Sequence, residues 1–315
     1  MVTTENSQVS NVMTGHELVC QVCESSGLET LLDLGNQPLC NDFLPAGNAP
    51  EPQTYYPLCV CYCHHCALVQ LDYVIPTEFS FGDQYTYLTG SSASLIEYYS
   101  QLARRLTGKF GLRPGDTVIE IGSNDGTFLK AFRSLGMEVL GIEGASKSWE
   151  ISEADGIQVV HQFFGLGSAS TIKERLRPGS KVRLVLAMNV LAHTDNINEF
   201  LAEVGNLMEP DTVFVSQSHW LAALVQEFEF DTIYHEHLRY YTLKSLTRLF
   251  LRHGLHVEDA ELVDFYGGSI LVYARRSASG ESEGVKSILA EEAKINIIES
   301  LRNMKQVLLN NRARL

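Results

Sequence analysis

The chain carries seven cysteines, and all of them lie between Cys20 and Cys66: Cys20, Cys23, Cys40, Cys59, Cys61, Cys63 and Cys66. Two pairs repeat one spacing, Cys20-Gln-Val-Cys23 and Cys63-His-His-Cys66. A C-x2-C loop turns two thiolates toward one tetrahedral cation, and two such loops close a four-sulfur zinc site. Such a site has no open coordination position, so Cys20, Cys23, Cys63 and Cys66 predict a metal that holds a fold and does no chemistry. The rival reading, a redox C-x2-C, lacks the βαβ context it needs. Cys59 and Cys61 fall in an alternating run, Leu58-Cys59-Val60-Cys61-Tyr62, and read as packing residues of a strand. His64 and His65, inside the second knuckle, read as exposed loop residues. An odd cysteine count behind a polar start, with no basic-then-apolar leader, predicts a cytoplasmic setting and no disulfide framework.

Length and charge narrow the rest. At about 150 residues per domain, 315 residues allow two domains and a remainder. Asp+Glu outnumber Lys+Arg by 38 to 24, a formal charge of −14, and an acidic surface repels phosphate backbones. Nucleic acid is therefore not an expected partner. No apolar run approaches the roughly 18 residues of a membrane span. The chain divides into a disordered start (1–16), a zinc module (17–75), a catalytic α/β domain (76–276) and a linker with an amphipathic helix (277–315). Within the α/β domain, residues 76–110 read as a segment that covers the substrate. Its serines, Ser91-Ser92-Ala93-Ser94, open a helix that runs toward Phe110.

From Asp116 onward strands alternate with helices, the sign of a parallel, doubly wound α/β sheet. The first strand, Thr117 to Ile121, runs into Gly122-Ser123-Asn124-Asp125-Gly126 and then a helix. Glycines permit a tight turn and close ligand approach, and the helix start adds unpaired N–H groups. The second strand ends in Glu143, an acidic residue placed to meet the hydroxyls of a ribose. A dinucleotide and S-adenosylmethionine (SAM) both fit this much. Two details favour SAM. Glu120 stands two residues before the first glycine, and Asn124 and Asp125 occupy positions where a pyrophosphate loop needs glycine. Carboxylates suit the cationic sulfonium and amino group of SAM and repel a pyrophosphate. By topology, Gln162 and Phe163 after the third strand would border the adenine, and Asn189 at the end of the fourth would meet the amino-acid portion.

Tyr234-His235-Glu236-His237 gathers a phenol, two imidazoles and a carboxylate. Histidine titrates near neutral pH and is the natural general base. A zincin helix would need His-Glu-x-x-His, and Arg239 stands where its second histidine belongs. A strand-borne metal pair and a buried hydrogen-bond network are the remaining alternatives.

The loop Glu120-Ile121-Gly122-Ser123-Asn124-Asp125-Gly126 resembles that of the sugar C-methyltransferases, typified by the 3-C-methyltransferases of deoxysugar biosynthesis. Three further stretches carry the resemblance: Leu34-Gly35-Asn36-Gln37-Pro38-Leu39 with Leu68-Val69-Gln70-Leu71 in the zinc module, Asn189-Val190-Leu191-Ala192-His193, and Phe230 to Leu238. The resemblance implies a Rossmann-like SAM methyltransferase sheet behind a zinc-binding module. It implies C-methylation of a nucleotide-linked 4-keto sugar at C3, with S-adenosylhomocysteine as by-product. It implies His237 as base, Glu236 orienting substrate or base, and Tyr234 and His193 positioning the sugar or stabilising an enolate. It also implies a tyrosine of Tyr85-Thr86-Tyr87, with Tyr87 preferred, reaching in from the front segment. Tyr266 departs from the family's His-Gly-Gly-Ser. The family usually continues into a third domain that holds the nucleotide. An end at Leu315 therefore implies a fragment, a partner supplying that surface, or an acceptor without a nucleotide handle. A different small-molecule acceptor, and a zinc-containing binding protein without turnover, are the alternative functions. A monomer and a dimer are both open.

Overall fold

We describe a computed structural model covering residues 15–16, 19–41, 53–81, 85–277 and 280–312. The expected frayed start lies outside the described residues except for Gly15–His16. That pair forms β1 and bonds to β5 (Tyr73–Val74).

The central sheet is built from buried, β-branched strands: β6 (Thr117–Ile121), β7 (Glu138–Glu143), β8 (Gln158–His161), β9 (Val182–Met188), β10 (Val213–His219), β12 (His256–Val263) and β13 (Ser269–Arg275). Their order is β12-β13-β10-β9-β6-β7-β8. Five neighbours run parallel, and β13 inserts antiparallel between β10 and β12. The two late strands thus sit together at one edge. Side chains alternate between two cores. Val118, Leu184 and Leu186 face one apolar cluster with α2 (Ala93–Phe110) and α3 (Thr127–Ser134), while Ile119, Ile121 and Val185 face the other. Ser92 caps α2, its hydroxyl accepting from the Leu95 amide. The intervening helices are α4 (Ser146–Ala154), α5 (Ser168–Arg175), α6 (Ile197–Leu207), α7 (Leu221–Gln226) and α8 (Leu243–Arg252); α1 (Thr77–Phe81) precedes α2.

The cysteine-rich part folds around a second, antiparallel sheet in the order β11-β4-β3-β2. It contains β2 (Glu29–Gln37), β3 (Tyr56–Tyr62) and β4 (Val69–Leu71), and its outer strand β11 (Arg239–Tyr240) comes from far along the chain. Arg239 pairs with Gln70 and Tyr240 with Val69, directly after the Tyr-His-Glu-His string. The sheet of the zinc module is therefore completed by a strand of the catalytic segment, far along the chain from residue 75.

The expected single tail helix is two, α9 (Glu283–Glu292) and α10 (Ile297–Arg312). Of the expected linker, residues 278–279 lie outside the described set. Val285 and Ile288 of α9 bury beside Val257 and Ala260 of β12. Leu301 and Met304 of α10 bury with Leu31 and Leu32 of β2 and Leu221 of α7. The apolar stripe of the tail is thus spent on both the α/β domain and the zinc module. Among the described residues no helix is long and apolar enough to cross a membrane.

Candidate active site and metal centre

The two knuckles close on each other. Cys20 and Cys66 sulfurs lie 3.4 Å apart and Cys23 and Cys63 sulfurs 3.6 Å apart, with all four within 4.8 Å of one another. A tetrahedral zinc with Zn–S of about 2.3 Å needs sulfurs about 3.8 Å apart. The residue after each second cysteine, Glu24 and Ala67, has a left-handed backbone (φ 61° and 63°), so both knuckles turn the same way. The four predicted residues therefore fit a closed zinc centre.

The predicted cofactor loop stands at the carboxyl end of β6. Gly122 has φ 67°, and a Cβ there would lie 2.7 Å from Val190 Cγ2, so only glycine permits this turn. Glu120 is buried, and its Oε2 has no hydrogen-bond partner among the described residues. Burial, reinforced by Asp125 and Glu143, pushes its carboxyl well above the usual range. Glu143 is also pushed up by burial, although its carboxylate accepts from the amides of Asn124 (2.9 Å) and Ala145 (2.8 Å). Three carboxylates thus converge beside one small cavity, which Glu120, Gly122, Asn124 and Met188 help line. An orphaned carboxylate oxygen and a glycine-only approach fit a ligand with a cationic centre and hydroxyls, as SAM is.

Asn124 and Asp125 also do something the sequence did not reveal. Asp125 Oδ2 accepts from the Gly90 amide (2.6 Å), and Asn124 Oδ1 from the Thr89 amide (2.9 Å). Asn124 Nδ2 donates to Tyr87 O (3.0 Å). The two side chains strap the front segment across the cofactor loop, while Asp125 Oδ1 accepts from Thr127 N and Oγ1 at the start of α3. Gly126, with φ 73°, caps that helix. Of the residues placed by topology, Phe163 lies over Gly144, where a Cβ would meet its ring at 2.5 Å, beside Glu143. Gln162 instead donates to Ser168 Oγ (2.7 Å) at the start of α5. Asn189 directly follows β9 with φ 57°, its amide donating to Gln217 O (2.8 Å).

The Tyr-His-Glu-His string is not a strand but a turn, so a strand-borne pair of histidine ligands is ruled out. His235 points away, its Nε2 against the carbonyls of Tyr56 (3.3 Å) and Pro57 (3.2 Å) in β3. His237 points inward. Its Nδ1 lies 2.8 Å from Thr232 O, and a carbonyl only accepts, so Nδ1 carries the proton and Nε2 the lone pair. Tyr234 OH then donates to Nε2 at 3.1 Å. His193 is held the same way, its Nδ1 donating to Glu236 O at 2.8 Å, and the two imidazoles lie 4.9 Å apart. Burial lowers His237 to about 3, with His193 adding to the effect, and lowers His193 to about 4. Both rings are therefore neutral near pH 7, with Nε2 unprotonated, and that of His237 accepts from Tyr234 OH.

The Glu236 carboxylate is engaged from the zinc-module side. Its Oε1 accepts from Asn41 Nδ2 at 2.5 Å and lies 3.6 Å from Cys40 Sγ. Sequence reasoning missed this contact. The only hint is that Cys40-Asn41 directly follows the Gln37-Pro38-Leu39 motif. The two candidate tyrosines separate clearly. Tyr85 is pushed up by burial and then by the Glu236 charge, with Tyr234 and Glu143 also contributing, and its ring lies 4.9 Å from Phe81. Tyr87 is 42% exposed, and its hydroxyl pairs with Tyr266 OH at 2.8 Å. Tyr85 thus lies against Phe81, which in turn packs on the His193 ring at 5.1 Å, whereas Tyr87 bonds Tyr266. A second missed pair, His219 with Glu229 (2.9 Å), stands at the end of β10.

Residues 94–260 match a family model described as a methyltransferase domain, and residues 20–81 match one described as a zinc binding domain. The chain belongs to the methyltransferase family. C-methyltransferase NovU of Streptomyces niveus is 33% identical over 275 residues, which are 87% of this chain and 64% of that protein. The chain thus spans just under two thirds of that relative's length. A ubiquinone biosynthesis O-methyltransferase of Rhodopseudomonas palustris (strain HaA2) is 26% identical over 117 residues, 37% of this chain and 44% of that one. A SAM-dependent methyltransferase structure from Clostridium acetobutylicum ATCC 824 superposes with TM-score 0.45 at 13% identity, covering 58% of this chain and 92% of that one. SAM is thus the cofactor of this methyltransferase, and the four knuckle cysteines are the residues that would hold the zinc of its metal-binding module.

Proposed function

We propose that this methyltransferase acts at carbon, removing a proton next to a ketone before methylation, and that its acceptor is a 4-keto deoxysugar, nucleotide-linked, methylated at C3. The observation that carries the reading is the buried, neutral His237, with Nδ1–H locked on Thr232 O and a lone pair on Nε2. The resemblance to a C-methyltransferase along 87% of the chain supports it. An oxygen or nitrogen acceptor owns a lone pair, whereas a carbon acceptor must first lose a proton and become an enolate. The site therefore needs a base at the carbon and donors at the new oxyanion.

His237 Nε2 takes the proton. In the free protein that lone pair is engaged by Tyr234 OH, so the phenol must turn away as the acceptor enters. Turned, its hydroxyl donates to the developing oxyanion, and in this reading Tyr85 OH is the second donor. Burial keeps both phenols protonated. His193 is not an oxyanion donor, because its one N–H is committed to Glu236 O. Its Nε2 accepts from a sugar hydroxyl instead. Glu236 and Asn41 orient the sugar from the zinc-module side. Bound SAM supplies an activated methyl group, and the carboxylates at the end of β6 favour its positive charge.

The test is deuterium exchange at C3 of 4-keto nucleotide sugars in D2O, followed by mass spectrometry. The wild type should exchange one hydrogen, and His237→Gln should slow exchange by about 10²–10⁴-fold. Exchange that survives in His237→Gln would remove the base assignment, and exchange of no sugar in the panel would remove the acceptor class.

A further inference from the structure

We propose that Cys59, Cys61 and Asp72 form a second metal site, for a divalent thiophilic cation of the zinc class, separate from the four-cysteine centre. The sequence alone reads Cys59 and Cys61 as packing residues; Cys61 is indeed buried, but the face the two share is not apolar. Side chains alternate along β3, and Leu58 and Val60 enter the apolar cluster beneath the sheet. Cys59 and Cys61 therefore share the opposite face, and neither belongs to any of the three apolar clusters. Their surroundings are polar. Thr30 pairs with Cys61 across β2–β3, its Oγ1 3.7 Å from the sulfur. The Asp72 amide donates to Cys59 O at 3.0 Å, which fixes the aspartate beside the two thiols.

The two sulfurs and an Asp72 carboxylate oxygen lie within 4.8 Å of one another. A tetrahedral zinc-class ion, with bonds of about 2.3 Å to sulfur and 2.0 Å to oxygen, needs these donors about 3.5–3.8 Å apart. Rotations about side-chain bonds of order 1 Å close that difference, while the ladders to β2 and β4 hold the backbone. Two thiolates with one carboxylate suit zinc or cobalt and not magnesium or calcium. Three protein donors leave the fourth position to water, and the half-buried Cys59 gives the ion an entry path. The donor sets of the two sites are disjoint, although β3 runs from one directly toward the other.

The test counts metal on the full chain in a phosphine reductant, by native mass spectrometry after Co2+ or Zn2+ loading. Wild type should saturate at two ions per chain, one resistant to chelator and one readily removed. Cys59→Ser/Cys61→Ser should hold one, and Asp72→Asn should bind the labile ion at least about tenfold more weakly while keeping the resistant one. A wild type that saturates at one ion, a double variant that still holds two, or an Asp72→Asn chain with unchanged affinity for the labile ion would each overturn the site.

Discussion

His237 and His193 illustrate how burial selects chemistry at the scale of one residue. An imidazole in water titrates near 6.5, and here desolvation of the charged form lowers one ring to about 3 and the other to about 4. The base is therefore available well into the acidic range, and kcat/KM should stay flat from pH 8 to about 5.5 with no inflection near 6.5. The same burial has a cost in stability. The unfolded chain protonates these rings below pH 6.5 and the folded chain does not, so stability is full above 6.5 and is lost as pH falls toward 4 and 3. Each ring would contribute at most about 2 kcal/mol between pH 7.5 and 5. Buried carboxylates such as Glu120 shift the opposite way, so the comparison to make is wild type against His237→Gln by urea unfolding at both pH values. The variant should lose less stability on acidification; an equal loss would contradict the neutral, buried ring. Kinetics should also separate the two tyrosines. Tyr85→Phe should lower kcat about 10²-fold, the scale of one oxyanion donor, whereas Tyr87→Phe should leave kcat within a few-fold.

At the scale of elements, the front segment is the part that Asn124 and Asp125 hold over the cofactor loop. Its weakest point is Gly90. A Cβ there would sit 2.8 Å from Thr127 Oγ1 and 2.9 Å from Asp125 Oδ2, and would push the Gly90 amide off its acceptor. Loss of a hydrogen bond to a charged group is of order 1.5–3 kcal/mol. Gly90→Ala should therefore weaken SAM binding by about 10-fold or more in a calorimetric titration, without changing the far-UV spectrum. Unchanged affinity would mean that the strap does not cover the bound cofactor. Strand β11 is the other decisive element. It is only two residues long, yet it joins the base-bearing turn to the zinc-module sheet through Arg239–Gln70 and Tyr240–Val69 pairing.

For the whole molecule, the zinc module is a wall of the active site. Arg239 is fully buried and donates to Gln21 Oε1 (2.5 Å) inside the first knuckle, and also to Leu191 O (3.4 Å), two residues before His193. Asn41 and Cys40 of the same module meet Glu236. Metal binding in such modules is coupled to folding. Stripping the metal, or Cys20→Ser, should therefore abolish His237-dependent proton exchange and lower Tm, while SAM still binds at the loop after β6, whose fold does not include the knuckles. Full exchange activity in metal-free protein would show that the module is not needed for the site. The tail adds to this wall, since α10 packs Leu301 and Met304 on β2 and Arg302 pairs with Glu29.

Local chemistry was legible in the sequence. The knuckle spacing, the glycines after β6, the acid at the end of β7 and the serine cap of α2 each depend on residues a few positions apart, and each stands where the residues place it. The Tyr-His-Glu-His string was visible as a cluster, because composition survives without coordinates. Its internal division of labour was not. His235 and His237 are two residues apart, and only the turn sends one to β3 and the other into the site. Tyr85 and Tyr87 are separated in the same way, by what packs against each. The meeting of Asn41 with Glu236, the pairing of β11 with β4 and the polar face of Cys59 and Cys61 join positions up to 195 residues apart. Such contacts leave no short-range pattern, because burial and pairing across sheets are decided by the whole chain folding at once.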